Sequence, residues 1–332
     1  MLKSENRIFG YDLIKAIAIF MIVFYHLGGI DLGTVEPGKY YFPNFNKILF
    51  SFCAASVPLF LMVHGALILP KHLNLKESLL KTMQMLFLFL FGNIVLQHLL
   101  LEKVFSISEE MVHFWFLGTL AMVYLLSWIM NLGKWIFIGS MILLIVYPFL
   151  SNLFYVFIIF FRPSSAFHTF GHDGFFTLYA LVYFYLGYYL KYKIVSLPFI
   201  LTLVFVGLFL INFEVIAMSN YLQQLYDGVS GSFPTIGALC LSTGLFCLLK
   251  DKKTPYGILR NSISLIGSNT LGIYMIHVMV IFLLRKYAHI DSLSLISTIL
   301  LALFIAFVIA LLFYYLKSIL RCFEQLNSYH SH

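Results

Sequence analysis

The first apolar segment of the chain, YDLIKAIAIFMIVFYHLGGI, contains three side chains that could do chemistry. Asp12 and Lys15 are three residues apart, so in a helix they share one face and can form an ion pair. Lys15 and His26 are eleven residues apart, which at about 100° per residue returns to nearly the same face. At 1.5 Å per residue the two are about 16 Å apart along the helix axis. The spacing therefore predicts a cation near one end of a helix and an imidazole towards the other.

Each of these groups has two interpretations. Asp12 and Lys15 could simply form an ion pair at a membrane boundary, or Lys15 could meet an anionic ligand. His26 could be a structural histidine, although burying a lone imidazole carries a desolvation cost. It could instead act as a general base, because imidazole has an ordinary pKa close to neutrality.

Two later segments combine apolar runs with polar groups. HFWFLGTLAMVYLL opens with His113 and Trp115, and SNTLGIYMIH contains Tyr274 and His277. No metal site is predicted, because His277 has no His, Cys, Asp or Glu at helical spacing and the sequence contains neither HExxH nor CxxC. The remaining histidines of interest are interpreted as ordinary boundary residues: His64, His98, His168 and His172.

The composition indicates the elements that must position these groups. Of 332 residues, 61% are apolar and only 11% are charged, whereas soluble domains have roughly a quarter charged residues. Long unbroken apolar runs favour helices, each of which crosses a bilayer in about 20 residues. We expect an all-α polytopic membrane protein whose roughly ten transmembrane helices enclose a central cavity. The predicted spans are Tyr11–Ile30, Ile48–Leu69, Leu79–Leu101, Phe114–Met130, Trp135–Leu150, Phe175–Leu190, Val195–Phe213, Phe233–Leu249, Ile263–Leu284 and Leu293–Leu316.

Lys and Arg are concentrated in alternate loops, which by the positive-inside rule places both termini in the cytoplasm. The same distribution accounts for the net charge of +7, so no nucleic-acid partner is predicted. Leu153–Phe161 is too short to cross and is expected to be an interfacial or re-entrant piece. Residues 1–332 are expected to form a single membrane domain, with its spans within about residues 11–316.

Five segments of the chain resemble membrane acyltransferase family 3, the integral-membrane O-acetyltransferases of surface polysaccharides. The family typically has Arg before its first-span histidine with ten residues between them, where this chain has Lys15 before His26. It also typically has Ser before Gly65, where this chain has His64. The resemblance covers about residues 6–320. The segments are RIFGYDLIKAIAIFMIVFYHLGG, SVPLFLMVHGALIL, HFWFLGTLAMVYLL, YFYLGYYLKY and SNTLGIYMIH.

The resemblance implies a multi-pass acyltransferase of the cell membrane, most simply a bacterial inner or plasma membrane. It would transfer an acyl group, most often acetyl, from cytoplasmic acyl-CoA to a hydroxyl of a glycan or lipid-linked saccharide. His26 would be the general base, in direct transfer or through an acyl-histidine intermediate, and Lys15 with Asp12 would bind CoA. His113, Trp115, Tyr274 and His277 would contact or position the acceptor. If Lys15 only pairs with Asp12, the CoA phosphates would instead be bound by other cytoplasmic cations, namely Lys71, Lys76, Lys81, Lys252, Lys253 or Arg260.

Two other classes of function remain open. A transporter or saccharide flippase also uses buried polar residues, but such proteins often have two corresponding halves with broken helices. Here the polar residues are concentrated in the first span and at helix ends. A non-catalytic sensor or assembly partner is the third possibility. The expected partners are acyl-CoA, the acceptor and the bilayer, and the sequence predicts no oligomeric state.

Overall fold

The computed structural model describes residues 8–28, 30–71, 74–100, 115–130, 139, 142, 149–161, 178–229, 233, 235–253, 257–288, 290 and 293–330. Every regular element within these ranges is helical, which confirms the predicted all-α class. The α-helices are α1 (Phe9–Leu27), α2 (Phe45–Phe50), α3 (Ser56–Ile68), α4 (Leu75–Leu100), α5 (Trp115–Met130), α6 (Ser151–Phe161), α7 (Leu178–Leu190), α8 (Leu197–Leu222), α9 (Ile236–Leu249), α10 (Ile258–Ser268), α11 (Thr270–Ala288) and α12 (Leu295–His330). Short 3₁₀ segments follow α2 at Ser51–Ala55 and α3 at Leu69–Lys71.

Five helical stretches in the described residues are long and apolar enough to cross a membrane. They are Phe9–Leu27, Phe45–Lys71, Leu197–Leu222, Thr270–Ala288 and Leu295–Leu320. This confirms a multi-pass membrane protein. The number of ten spans, the central cavity and the cytoplasmic position of both termini stay predictions.

Other predicted spans correspond to helices in position. Helices α4, α5 and α9 lie where the third, fourth and eighth spans are expected. Helix α6 has 11 residues, or about 16 Å at the helical rise, which is too short to cross a bilayer alone. The predicted span Trp135–Leu150 lies almost wholly outside the described residues, and Phe175–Leu190 is described from Leu178.

The helix at the seventh predicted span, Val195–Phe213, extends further than the span. Helix α8 continues nine residues beyond Phe213, to Leu222, and carries the carboxylate of Glu214 inside it. Glu214 is only 5% exposed, and the Tyr226 hydroxyl donates a hydrogen bond to its Oε1 at 3.4 Å. Glu214, the charged residue directly after the predicted span, is thus a buried member of the helix.

The ninth predicted span, Ile263–Leu284, is wrong as a single helix, because the chain breaks at Asn269 between α10 and α11. The Asn269 side-chain amide donates to the Leu265 carbonyl at 2.8 Å, and its oxygen accepts a hydrogen bond from Lys317 at 2.8 Å. Side-chain bonds of this kind compete with helical backbone bonds and favour a break.

The chain packs as two compact units, one of residues 1–30 and 249–332 and the other of residues 31–248. In the first unit, α1 packs against α10, α11 and α12. Gly267, just before α11, lies against Asp12 near the start of α1, and Arg285 near the end of α11 contacts the backbone of His26 near the end of α1. The two helices therefore run side by side in the same direction.

The second unit contains a close crossing of α3 and α7. A Cβ atom added at Gly65 would lie 1.7 Å from the Phe184 carbonyl oxygen, and one at Gly187 would lie 2.0 Å from that of Met62. Each helix thus presents a glycine to the backbone of the other. Small residues permit this approach in membranes, where helix association depends on van der Waals packing rather than the hydrophobic effect.

Candidate functional site

The carboxylate and ammonium groups near the start of α1 form an ion pair. Asp12 Oδ1 lies 3.2 Å from Lys15 Nζ, across one helical turn. The Asp12 side chain is 4% exposed and the Lys15 side chain 18% exposed. The boundary pair that the sequence allowed is therefore present, and the Lys15 side chain is not fully buried.

His26 occupies the last turn of the same helix and is half-buried. Its ring centroid lies 5.3 Å from that of His277 on α11, with the two planes tilted by 53°. Its neighbour Tyr25 meets the ring edge-on, with centroids 5.0 Å apart. The imidazole thus faces another helix of its own unit. Since α1 is continuous from Phe9 to Leu27, the predicted axial separation from Lys15 of about 16 Å holds.

His277 is fully buried, and its hydrogen-bond partners indicate which ring nitrogen carries a proton. Its Nδ1 atom lies 3.0 Å from the Ile273 carbonyl oxygen and 2.9 Å from that of Tyr274. A carbonyl oxygen only accepts hydrogen bonds, so Nδ1 carries a proton, and in the neutral ring Nε2 is the acceptor. The Tyr274 ring lies 5.9 Å from the His277 ring. Three predicted site residues, His26, Tyr274 and His277, are therefore brought together.

Arg285 joins this group, although no motif in the sequence singles it out. Its Nη2 atom donates hydrogen bonds to the carbonyl oxygens of His26, at 3.0 Å, and Leu27, at 2.5 Å. The sequence offers only a weak indication of this contact, because Arg285 is a cation in the last turn of the helix that also carries His277. The contact joins residues 259 positions apart, which local spacing does not reveal.

A second cation lies near the other end of α1. Lys317 of α12 donates to Asn269 Oδ1 at 2.8 Å and contacts the Ser268 carbonyl oxygen at 3.4 Å. Ser268 follows Gly267, the residue that packs against Asp12. Lys317 therefore lies at the junction of α10 and α11, at the same end of α1 as Lys15.

Trp115 belongs to the second unit and begins α5. Its ring centroid lies 5.5 Å from that of Phe233, which in turn stacks on Tyr179 at 6.5 Å. His113 lies outside the described residues. Among the residues that the structure describes, no group of three or more His, Cys, Asp or Glu side chains is arranged to hold a metal ion.

Comparison with known proteins identifies the family. A sequence model of an acyltransferase domain, that of acyltransferase family 3, matches residues 8–315 and so includes every predicted site residue. No curated protein and no solved structure matches the chain. The all-helical, multi-pass architecture agrees with this match. The chain therefore belongs to acyltransferase family 3 and is a membrane acyltransferase.

Proposed function

We propose that this protein transfers an acyl group, most simply acetyl, from cytoplasmic acyl-CoA to a hydroxyl of a glycan or lipid-linked saccharide in the cell membrane. The observation that carries the proposal is the arrangement of α1. One continuous helix bears the partly exposed side chain of Lys15 and, about 16 Å along the axis, an imidazole that faces a second imidazole. This separation is comparable with the extended pantetheine arm of CoA.

In the proposed reaction, the acceptor hydroxyl oxygen attacks the thioester carbonyl carbon while His26 takes the hydroxyl proton. A C–O bond forms, the C–S bond breaks, and the protonated imidazole returns its proton to the departing thiolate. The products are an O-acyl ester and free CoA. General base catalysis of this kind contributes about 10²- to 10⁴-fold to a rate.

Lys15 is proposed to attract the CoA phosphates. The Asp12 carboxylate lies 3.2 Å from the ammonium group and would orient it, and 18% of the Lys15 side chain stays exposed. Lysine binds phosphate as a point charge, so one or more further cations are needed for a nucleotide with several phosphates. Lys317, at the same end of α1, is a candidate that the sequence analysis had not selected.

Tyr274 and His277 are proposed to position the acceptor beside His26, because the His277 ring lies against the His26 imidazole and the Tyr274 ring lies against His277. The Nδ1 proton of His277 is committed to backbone carbonyls, so the ring is held in one orientation. Trp115 and His113 are proposed to contact the acceptor as well. An indole ring suits this role because it offers an apolar face to a sugar and a donor N–H.

Labelled acetyl-CoA offered to inside-out membrane vesicles tests the proposal. We expect label to move to the glycan or lipid-linked fraction with wild-type protein and not with His26→Ala at equal accumulation. His64→Ala is the matched control, because His64 is also half-buried and bonds a carbonyl of its own helix through Nδ1, at 2.8 Å. Activity retained by His26→Ala refutes the role of the imidazole. Solute flux without any transfer of label would favour a transporter instead.

A further inference from the structure

Helix α11 contacts His26, in the last turn of α1, in two ways. The His277 ring lies against the His26 ring, with centroids 5.3 Å apart. The Arg285 guanidinium group binds the backbone of the same histidine, through its carbonyl oxygen at 3.0 Å. Both the side chain and the main chain of His26 are thus contacted by a single helix.

The guanidinium group completes the end of α1. The last carbonyl groups of a helix have no intrahelical N–H partner, and a cation near them also interacts favourably with the helix dipole. Arg285 supplies both the missing N–H donors and the cation, since its Nη2 atom donates to the carbonyl oxygens of His26 and Leu27 and its charge is permanent. The position of the final turn of α1 is therefore coupled to that of α11.

Gly28 shows from the α1 side of the same contact that this position accommodates a guanidinium group. The residue ends α1 with φ at +55°, a conformation that side-chain-bearing residues rarely adopt. A Cβ atom added there would lie 2.9 Å from Arg285 Nη2. The absence of a side chain at Gly28 thus leaves the room that the guanidinium group occupies.

We infer that Arg285 is a positioning residue for acyl transfer, which holds the final turn of α1 so that the His26 imidazole stays against His277. The inference rests on the proposed function, in which His26 takes the hydroxyl proton. Arg285 acts through the backbone and not on the reacting atoms. Its loss should therefore lower kcat and leave the KM for acyl-CoA, which binds towards the other end of α1, nearly unchanged.

Three variants measured in the vesicle assay test this role. We expect Arg285→Gln to lower kcat about 10- to 100-fold, since a displacement of about 1 Å can cost 10²-fold. The KM for acetyl-CoA should change by less than about twofold. Arg285→Lys should restore much of kcat, because an ammonium group can still cap the carbonyls. Lys286→Gln, the matched control, removes the adjacent exposed cation and should behave as wild type.

Gly28→Ala perturbs the same contact from the α1 side. The added methyl group should displace the guanidinium group and lower kcat without raising the KM for acetyl-CoA. Combined with Arg285→Gln, it should cause little further loss, because both changes break one interaction and such effects are not additive.

The outcomes separate this inference from the proposed function. If His26→Ala is inactive while Arg285→Gln keeps wild-type kcat, the positioning role is wrong and the proposed function stands. If His26→Ala is active, the proposed function fails whatever Arg285 does. Should Arg285→Gln not accumulate, Gly28→Ala decides, because unchanged kcat overturns the inference and a fall of about 10- to 100-fold at unchanged KM for acetyl-CoA supports it. Equal losses in the Gln and Lys variants, or additive losses in the double variant, also overturn it.

Discussion

Substitution of Lys15 separates an ion pair that supports the fold from a cation that binds CoA. The ammonium group lies 3.2 Å from Asp12 Oδ1, and the carboxylate is almost fully buried. Breaking a buried pair by removing one partner costs about 3–5 kcal/mol. We expect the cost of Lys15→Met to lie at or below the lower end of this range, because the Lys15 side chain is partly exposed, and the thermal midpoint to fall.

The same variant should weaken CoA binding. A charge-assisted hydrogen bond contributes about 1.5–3 kcal/mol, which corresponds to roughly a 10- to 100-fold change in affinity. We therefore expect Lys15→Met to raise the KM for acetyl-CoA at least about tenfold with a smaller change in kcat. Lys15→Arg, which keeps the charge, should stay close to wild type in both.

A double variant distinguishes the two effects. Asp12→Asn combined with Lys15→Met removes both charges, so the thermal midpoint should recover while the KM for acetyl-CoA stays high. Initial rates of label transfer in inside-out vesicles give KM, and thermal unfolding of the solubilised protein gives the midpoint. A wild-type KM in Lys15→Met, or equal effects of the Arg and Met substitutions, would refute the reasoning and place the CoA phosphates elsewhere.

Three further predictions follow from other contacts. Gly65→Ala should sharply reduce the amount of folded protein in the membrane, because its Cβ would lie 1.7 Å from the Phe184 carbonyl oxygen. Gly118→Ala is the control and should accumulate as wild type, because the nearest atom to its Cβ is 4.0 Å away. Trp115→Ala should raise the KM for the acceptor about tenfold or more but not that for acetyl-CoA, since stacking on an aromatic ring is worth about 0.5–1.5 kcal/mol and burial adds to it. Equal changes in the two KM values would contradict the proposal that Trp115 contacts the acceptor. His277→Ala should lower kcat about tenfold or more at unchanged KM for acetyl-CoA, and a wild-type kcat would contradict its proposed role in positioning the acceptor beside His26.

The parts of the site that share one helix could be predicted from the sequence. The pairing of Asp12 with Lys15, and the axial distance from Lys15 to His26, depend only on the helical rise and periodicity, and α1 is unbroken between them. The helical setting of Tyr274 and His277 follows in the same way. The apolar composition was sufficient for the helical membrane class, because lipid leaves few alternatives to a helix.

Contacts between distant segments could not be predicted in this way. The bond from Arg285 to the His26 carbonyl depends on how two helices pack, and neither local sequence shows it. Glu214 was missed because a charged residue usually ends an apolar run, whereas here a tyrosine hydroxyl reaches it and the helix continues. The bond from Lys317 to Asn269, at the break between α10 and α11, likewise joins residues 48 positions apart.

The most direct test of the account is the initial rate of label transfer from acetyl-CoA for His26→Gln against wild type, at equal accumulation in inside-out vesicles. Glutamine keeps polarity and hydrogen bonding at this position but cannot take a proton from a hydroxyl near neutral pH. The account predicts a rate at least about 100-fold below wild type, in line with the contribution of a general base. A rate within about twofold of wild type would contradict it.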